Sequence, residues 1–315
     1  MASEFIDRVL KNMKSVMIAR PEVFELALVA VLCERHMLIE DVPGIGKTTL
    51  AKTLAHSLGC SFRRIQCTPD LLPSDITGIH FYNQKSCEFE FRPGPVMANI
   101  VLVDEINRAT PRTQSSLLEC MEERQVTVDG VTMPLPPPFM IIATQNPVEL
   151  QGTFPLPEAQ LDRFLLKLVL GYPDLEDEDA VLLRFERSNP LERLPAVTSA
   201  AEIMDISRQV QEVYVEPSVR RYILEIVRKT RTTPSITLGG SPRASLALYR
   251  ASQALALIQG RDFVLPDDVK RLAVPVLGHR LILSTEAYLH NTSKEKVIAE
   301  ILSTLPVPAE EHSTG

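Results

Sequence analysis

Over residues from about 4 to 168, short apolar runs alternate with stretches whose apolar positions recur every three or four residues. The runs at 36–40, 61–66, 100–103, 139–143 and 165–170 read as strands, and the stretches between them as helices. Strands separated by helical crossovers predict a mostly parallel sheet covered by helices on both faces, an α/β fold. Two segments depart from that rhythm. Residues 79–91 read as strand, polar turn over 83–86, strand, and residues 125–133 as strand, Asp129-Gly130, strand. Each predicts a β-hairpin inserted into the α/β unit.

The rhythm ends at "GYPDLEDEDA", where Pro173 is followed by five acidic residues that suit a hinge and a helix N-terminus. From about 174 to 305 the pattern is helical. Ile203, Ile206, Val210 and Val213 share one face, Tyr222, Ile223, Ile226 and Val227 share another, and Gly260 stops the run 243–259. The expected organisation is an α/β domain over 1–172, a helical domain over 173–305 and a disordered tail over 306–315.

Composition narrows the class. With 45 % apolar residues in 315, each domain can bury a core. A net charge of −7 and a pI near 5.5 argue against a broad electrostatic footprint for nucleic acid or an anionic membrane. The longest apolar run, 26–33, is far short of a membrane span, and Glu4, Asp7, Arg8, Lys11 and Lys14 interrupt the start of the chain. The five cysteines form no C-x-x-C. They are expected as reduced thiols in a cytoplasmic protein.

The candidate chemistry begins at "IEDVPGIGKTTLAKTLA", residues 39–55. At average composition, Gly44 together with Gly46-Lys47-Thr48 arises by chance with odds of roughly 1 % in a chain this long. The context strengthens it. Leu38 and Ile39 end a strand, while Leu50, Ala51, Leu54, Ala55 and Leu58 form one helical face, so the glycines lie where a phosphate loop needs them. The backbone of Asp41, Val42, Pro43, Gly44, Ile45, Gly46, Lys47, Thr48 and Thr49, through its N–H groups except at Pro43, would surround the phosphates of a nucleotide. In this arrangement Lys47 pairs with the β and γ groups and the Thr48 hydroxyl reaches Mg²⁺. Asp41 stands where the strict pattern has its first glycine, so its carboxylate must point away from the triphosphate.

Downstream, "IVLVDEINRAT" delivers Asp104 and Glu105 to the C-terminal end of a buried strand, the edge where such sheets bind ligands. Asp104 suits a Mg²⁺ held through its water shell, and Glu105 suits orienting and deprotonating the attacking water. A strand followed by a helix cap is the plainer reading of the same residues.

"DVPGIGKTTLAK", "DLLPSDITG", "DEINRATPRTQSSLLECMEERQVTVDG", "ATQNPVELQGTFPLPEAQLDRF" and "GGSPRASLAL" resemble the AAA+ ATPases, and the MoxR family in particular, along nearly the whole chain. The resemblance implies an α/β nucleotide domain with two inserted hairpins and a helical lid. It assigns Asn146 to sensor 1, a neutral amide near the attacking water, although a turn before Pro147 would also use it. It assigns Arg163 to the arginine finger that reaches the neighbouring subunit's ATP, with Arg108 and Arg112 as rivals and a salt bridge to Asp162 or Glu158 as the plainer reading. Arg243 matches sensor 2, which in this branch can serve either its own subunit's nucleotide or the adjacent one's, a choice the sequence leaves open. Ser241 and Pro242 place it in the first turn of a helix, where the macrodipole disfavours a cation by roughly 0.3 to 1 kcal/mol, so an anion should compensate. A γ-phosphate or a nearby carboxylate would serve. "SVMIAR" aligns with the segment that packs on adenine. Ala19 and Arg20 replace its usual Gly-Gln, so only Met17 and Ile18 carry over, with core packing as the alternative.

As a whole, the resemblance implies a Mg²⁺-dependent ATPase forming a hexameric ring. It would act as a chaperone that matures or activates a client complex, by metal or cofactor insertion, with a von Willebrand factor A domain partner. Two other readings stay open. One is the motor subunit of magnesium chelatase. The other is a nucleotide-dependent binding switch with little turnover, against which Glu105, Asn146 and Arg163 together speak. The first hairpin, "IHFYNQKSCEFEF", lacks the G-A-F-T-G-A loop of enhancer-dependent activators, and Glu88, Glu90 and Asp129 are unlike the basic hairpins of DNA motors.

Overall fold

The computed structural model describes residues 2–147, 152–186 and 188–308; most of the tail expected over 306–315 lies outside the described residues. Five strands form one sheet in the order Phe62–Gln66, Ile100–Asp104, Met140–Gln145, His36–Glu40, Phe164–Leu168. All four neighbouring pairs are parallel. The apolar runs become inner strands because side chains on both faces are covered: every residue of Ile100–Asp104 is buried. One face packs into a large core with the helices Ala2–Val16, Pro21–Leu32 and Lys47–Ser57, and the other closes on the helix Pro111–Glu123.

Both hairpins form as expected. Gly78–Asn83 pairs antiparallel with Glu88–Pro93, and Gln125–Val128 with Val131–Pro134. In the second, Asp129 and Gly130 take positive φ, +51° and +81°, as a two-residue turn matched to strand twist requires. His80 Nδ1 and Asp129 Oδ2, 2.8 Å apart, link the two hairpins.

The helical region contains Leu175–Phe185, Ala200–Glu212, Pro217–Thr230, Pro242–Ile258, Pro266–Leu277 and Lys294–Thr304. Both predicted apolar faces are buried. An antiparallel pair, Ile236–Leu238 with Ile282–Leu283, interrupts it. Strands of three and two residues are too short to show an alternating pattern in sequence. The helix Pro242–Ile258 packs on both N-terminal helices, so the same core runs from the start of the chain into its helical end.

Candidate functional site

The loop after His36–Glu40 is shaped by two glycines. Gly44 and Gly46 have φ of +87° and +93°, and Gly46 is the N-cap of the helix Lys47–Ser57. A Cβ at Gly44 would meet nothing within 4 Å, so glycine is needed there for its backbone angle and not for space. Asp41 needs no such freedom, since it is not among the positive-φ residues. Its carboxylate accepts from its neighbour Val42 N–H at 2.9 Å and from Gly171 N–H at 2.8 Å, which turns the charge out of the loop as its position demands. Lys47 Nζ donates to the Asp41 carbonyl at 2.6 Å across the loop.

A cavity of about 550 Å³ opens beside this loop, within the size range of small-molecule sites. Pro43, Gly44, Ile45, Gly46 and Thr49 form one wall and Met17, Ile18, Ala19 and Arg20 another. Arg20 donates to the Val169 and Leu170 carbonyls at 3.2 Å, which ties that segment to the sheet exit. The third wall is Tyr172 with Asp177, Glu178, Val181 and Phe185 of the helix Leu175–Phe185. Sequence reasoning did not assign this wall, because a helix whose apolar residues stay solvent-facing leaves no buried stripe to find.

The two carboxylates lie at the C-terminal end of the strand Ile100–Asp104, next to the central strand Met140–Gln145. Thr144, fully buried, donates to Asp104 Oδ1 at 2.8 Å and accepts from Glu105 N–H at 2.9 Å. One hydroxyl thus fixes both residues. Glu105 sits in the left-handed region, φ +56°, a conformation that costs a non-glycine residue on the order of 1 kcal/mol and persists only when its surroundings impose it. Asp104 Oδ2 accepts from Arg64 (Nε 2.9 Å, Nη2 2.6 Å), Arg64 donates to Gln66, and Gln66 donates to Glu105 Oε2 at 3.3 Å. Arg108, a rival finger, ion-pairs with Glu105 at 3.2 Å. Neither Arg64, Gln66 nor Thr144 is distinguishable by spacing; only strand register places them. Burial and the neighbouring carboxylates push the Cys67 thiol up to about 12, so it stays a neutral thiol.

Asn146, 5 % exposed, follows the strand Met140–Gln145. Register pairs Gln145 with Glu40, and Asp41 N–H bonds to the Gln145 carbonyl at 3.2 Å, so Asn146 lies alongside the start of the phosphate loop. A hydroxyl at Thr48 and a carboxylate at Asp104 are the hard oxygen donors that suit Mg²⁺ retaining several waters. Among the described residues no three His, Cys, Asp or Glu side chains gather as an alternative metal cage.

Arg163 and Arg243 lie elsewhere, off the cavity walls. Arg163 Nη1 donates to the Leu118 carbonyl at 2.6 Å, and Arg243 Nη2 pairs with Glu122 at 3.0 Å, one turn along the same helix. Glu122 is the anion that the cation in the first turn of Pro242–Ile258 called for. Between the arginines stands Asp162. Its carboxylate accepts from Ser241 Oγ at 2.8 Å and from Arg280 Nε at 2.7 Å. Burial pushes the Arg280 pKa down, and the hydrogen bond and charge of Asp162 push it back.

Comparisons with known proteins place the chain in a family. Residues 36–166 match the ATPase family associated with various cellular activities (AAA), and residues 228–301 match the AAA lid domain. The chain is similar to YeaC of Bacillus subtilis, 51 % identical over 305 residues that span 97 % of this chain and 95 % of that protein. It is 39 % identical to Chaperone MoxR1 of Mycobacterium tuberculosis over 96 % of this chain and 82 % of that one. A crystal structure of a Cytophaga hutchinsonii protein assigned as an ATPase superimposes with a TM-score of 0.92 at 38 % identity, covering 98 % of this chain and 96 % of the other.

Proposed function

The chain belongs to the MoxR family of AAA+ ATPases, and from that membership we propose that it hydrolyses ATP with Mg²⁺ in a ring of identical subunits. Lys47 and the loop N–H groups bind the triphosphate, and Asn146 and Glu105 hold the attacking water, Glu105 taking its proton. Thr48, and Asp104 through water, would hold Mg²⁺, which would supply charge neutralisation to the triphosphate. Arg163 and Arg243 serve the ATP of the adjacent subunit. The observation that carries this reading is their placement: both are anchored on the helix Pro111–Glu123, and neither lines the cavity of its own chain. Met17 and Ile18 face the base from the second wall.

Residues 1–172 act as the nucleotide domain and 173–305 as the lid, in a cytoplasmic, hexameric chaperone. The similarity to Chaperone MoxR1 supports the chaperone role. Work on a client through a von Willebrand factor A domain partner follows the family resemblance. The test is ATPase rate against protein concentration, with mass followed by light scattering in ATP and in ADP. Specific activity is expected to rise with assembly; a monomer hydrolysing ATP equally fast would place the arginine finger in its own chain, and no hydrolysis by the assembled protein would favour the binding switch.

A further inference from the structure

Asp162, which no motif role claims, connects three segments that the sequence keeps far apart. It immediately precedes Arg163. Its Oδ2 accepts from Ser241 Oγ, and the same hydroxyl oxygen accepts from Arg243 N–H at 3.1 Å. Its Oδ1 accepts from Arg280 Nε. A single carboxylate therefore joins the peptide of the finger to the backbone of the sensor 2 residue.

Arg280 makes this joint stiff. The residue is 5 % exposed and spends all five of its N–H donors on protein. Besides Asp162 Oδ1, it donates to the carbonyls of Asp162 at 3.3 Å, Phe164 at 2.6 Å and Leu165 at 3.0 Å, and to that of Val276. A planar guanidinium bonded in five directions cannot rotate without breaking several bonds at once. It ties the last turn of the helix Pro266–Leu277 to both Asp162 and the start of the strand Phe164–Leu168.

We propose that Asp162 is a positioning residue that locks Arg163 and Arg243 into one unit, with Arg280 as its fixed anchor, so that the two arginines reach the neighbour's phosphates together. The proposal rests on the ring ATPase reading above. An arginine displaced by about 1 Å from its productive place costs roughly 10²-fold in rate, so a loosened frame should be read in kcat and not in binding of the chain's own ATP. That split separates it from a merely structural ion pair.

The test uses the full chain. Asp162→Asn keeps the shape of the side chain and removes its charge. It is expected to fold, assemble and bind ATP as the parent does, with kcat at least about tenfold lower. Mixed with Lys47→Ala subunits, whose arginine face is intact, it should regain activity, as Arg163→Ala should. Normal kcat in assembled Asp162→Asn, or a loss that Lys47→Ala subunits do not relieve in rings shown to be mixed, overturns the proposal. If Asp162→Asn does not fold, Ser241→Ala decides: a several-fold fall in kcat relieved by mixing supports the frame, and an unchanged kcat removes it. Full activity in Arg163→Ala would instead overturn the finger itself, and the frame with it.

Discussion

The phosphate loop and the arginine face are built in opposite ways. The loop is nine contiguous residues, 41–49, shaped by two positive-φ glycines and by bonds such as Lys47 to the Asp41 carbonyl that close within the same turn. The arginine face draws on residues 118–122, 162–163, 241–243 and 280, and the bonds that join these segments span between 45 and 121 positions of sequence. A local site is fixed by backbone preferences and survives loosening elsewhere, whereas a long-range site is only as ordered as the core that assembles it. On the function proposed above, ATP binding falls to the first and the arginines' share of rate acceleration to the second.

The comparison breaks most sharply at Arg163. Arg163→Ala is expected to bind ATP normally and lose roughly 10³-fold or more in kcat, with partial recovery on mixing with Lys47→Ala subunits. Isothermal titration and steady-state ATPase assays separate the two effects. On the nucleotide side, Glu105→Gln is expected to bind ATP and lose about 10²- to 10⁴-fold in turnover; normal turnover would remove Glu105 as the base.

A subtler change probes the joint between the regions. His36 accepts from Ile141 N–H through Nδ1 at 2.9 Å, so its Nε2–H donates to the Met121 carbonyl, on the helix that anchors both arginines. Burial lowers its pKa to about 4, because a proton on Nδ1 would face that N–H with no water to relieve it. The folded protein thus resists a proton that the unfolded chain takes up near pH 6.5. The stability this contributes is complete above about 6.5 and is lost as pH falls toward 4, a total of roughly 3 kcal/mol. Buried His279, also lowered, acts in the same direction. Urea midpoints from pH 7.5 to 4.5 should fall, and less steeply in His36→Asn; parallel slopes would exclude His36 as a source.

Thr144→Val gives the smallest effect. It leaves Asp104 Oδ1 and Glu105 N–H without their shared hydroxyl, and should cost about 1 to 3 kcal/mol of stability and lower kcat with ATP affinity retained. Denaturant midpoints and ATPase rates on one preparation would check both.

The amino-acid sequence by itself determined the five strands of the main sheet, the two hairpins, the glycine loop 41–49 and the Asp104-Glu105 pair, because each is written in consecutive residues through periodicity, glycine freedom and turn chemistry. The departure at Asp41 was also legible: its charge had to leave the loop, and it bonds to Gly171. Only the tertiary structure decided what Asp41 turns toward, that Thr144 and Arg64 hold the carboxylates, that the helix Leu175–Phe185 walls the cavity, and that Asp162 joins Arg163 to Arg243. Those contacts depend on strand order and on a core shared between the two ends of the chain. No local pattern records which distant side chains a packed core will bring within hydrogen-bond distance.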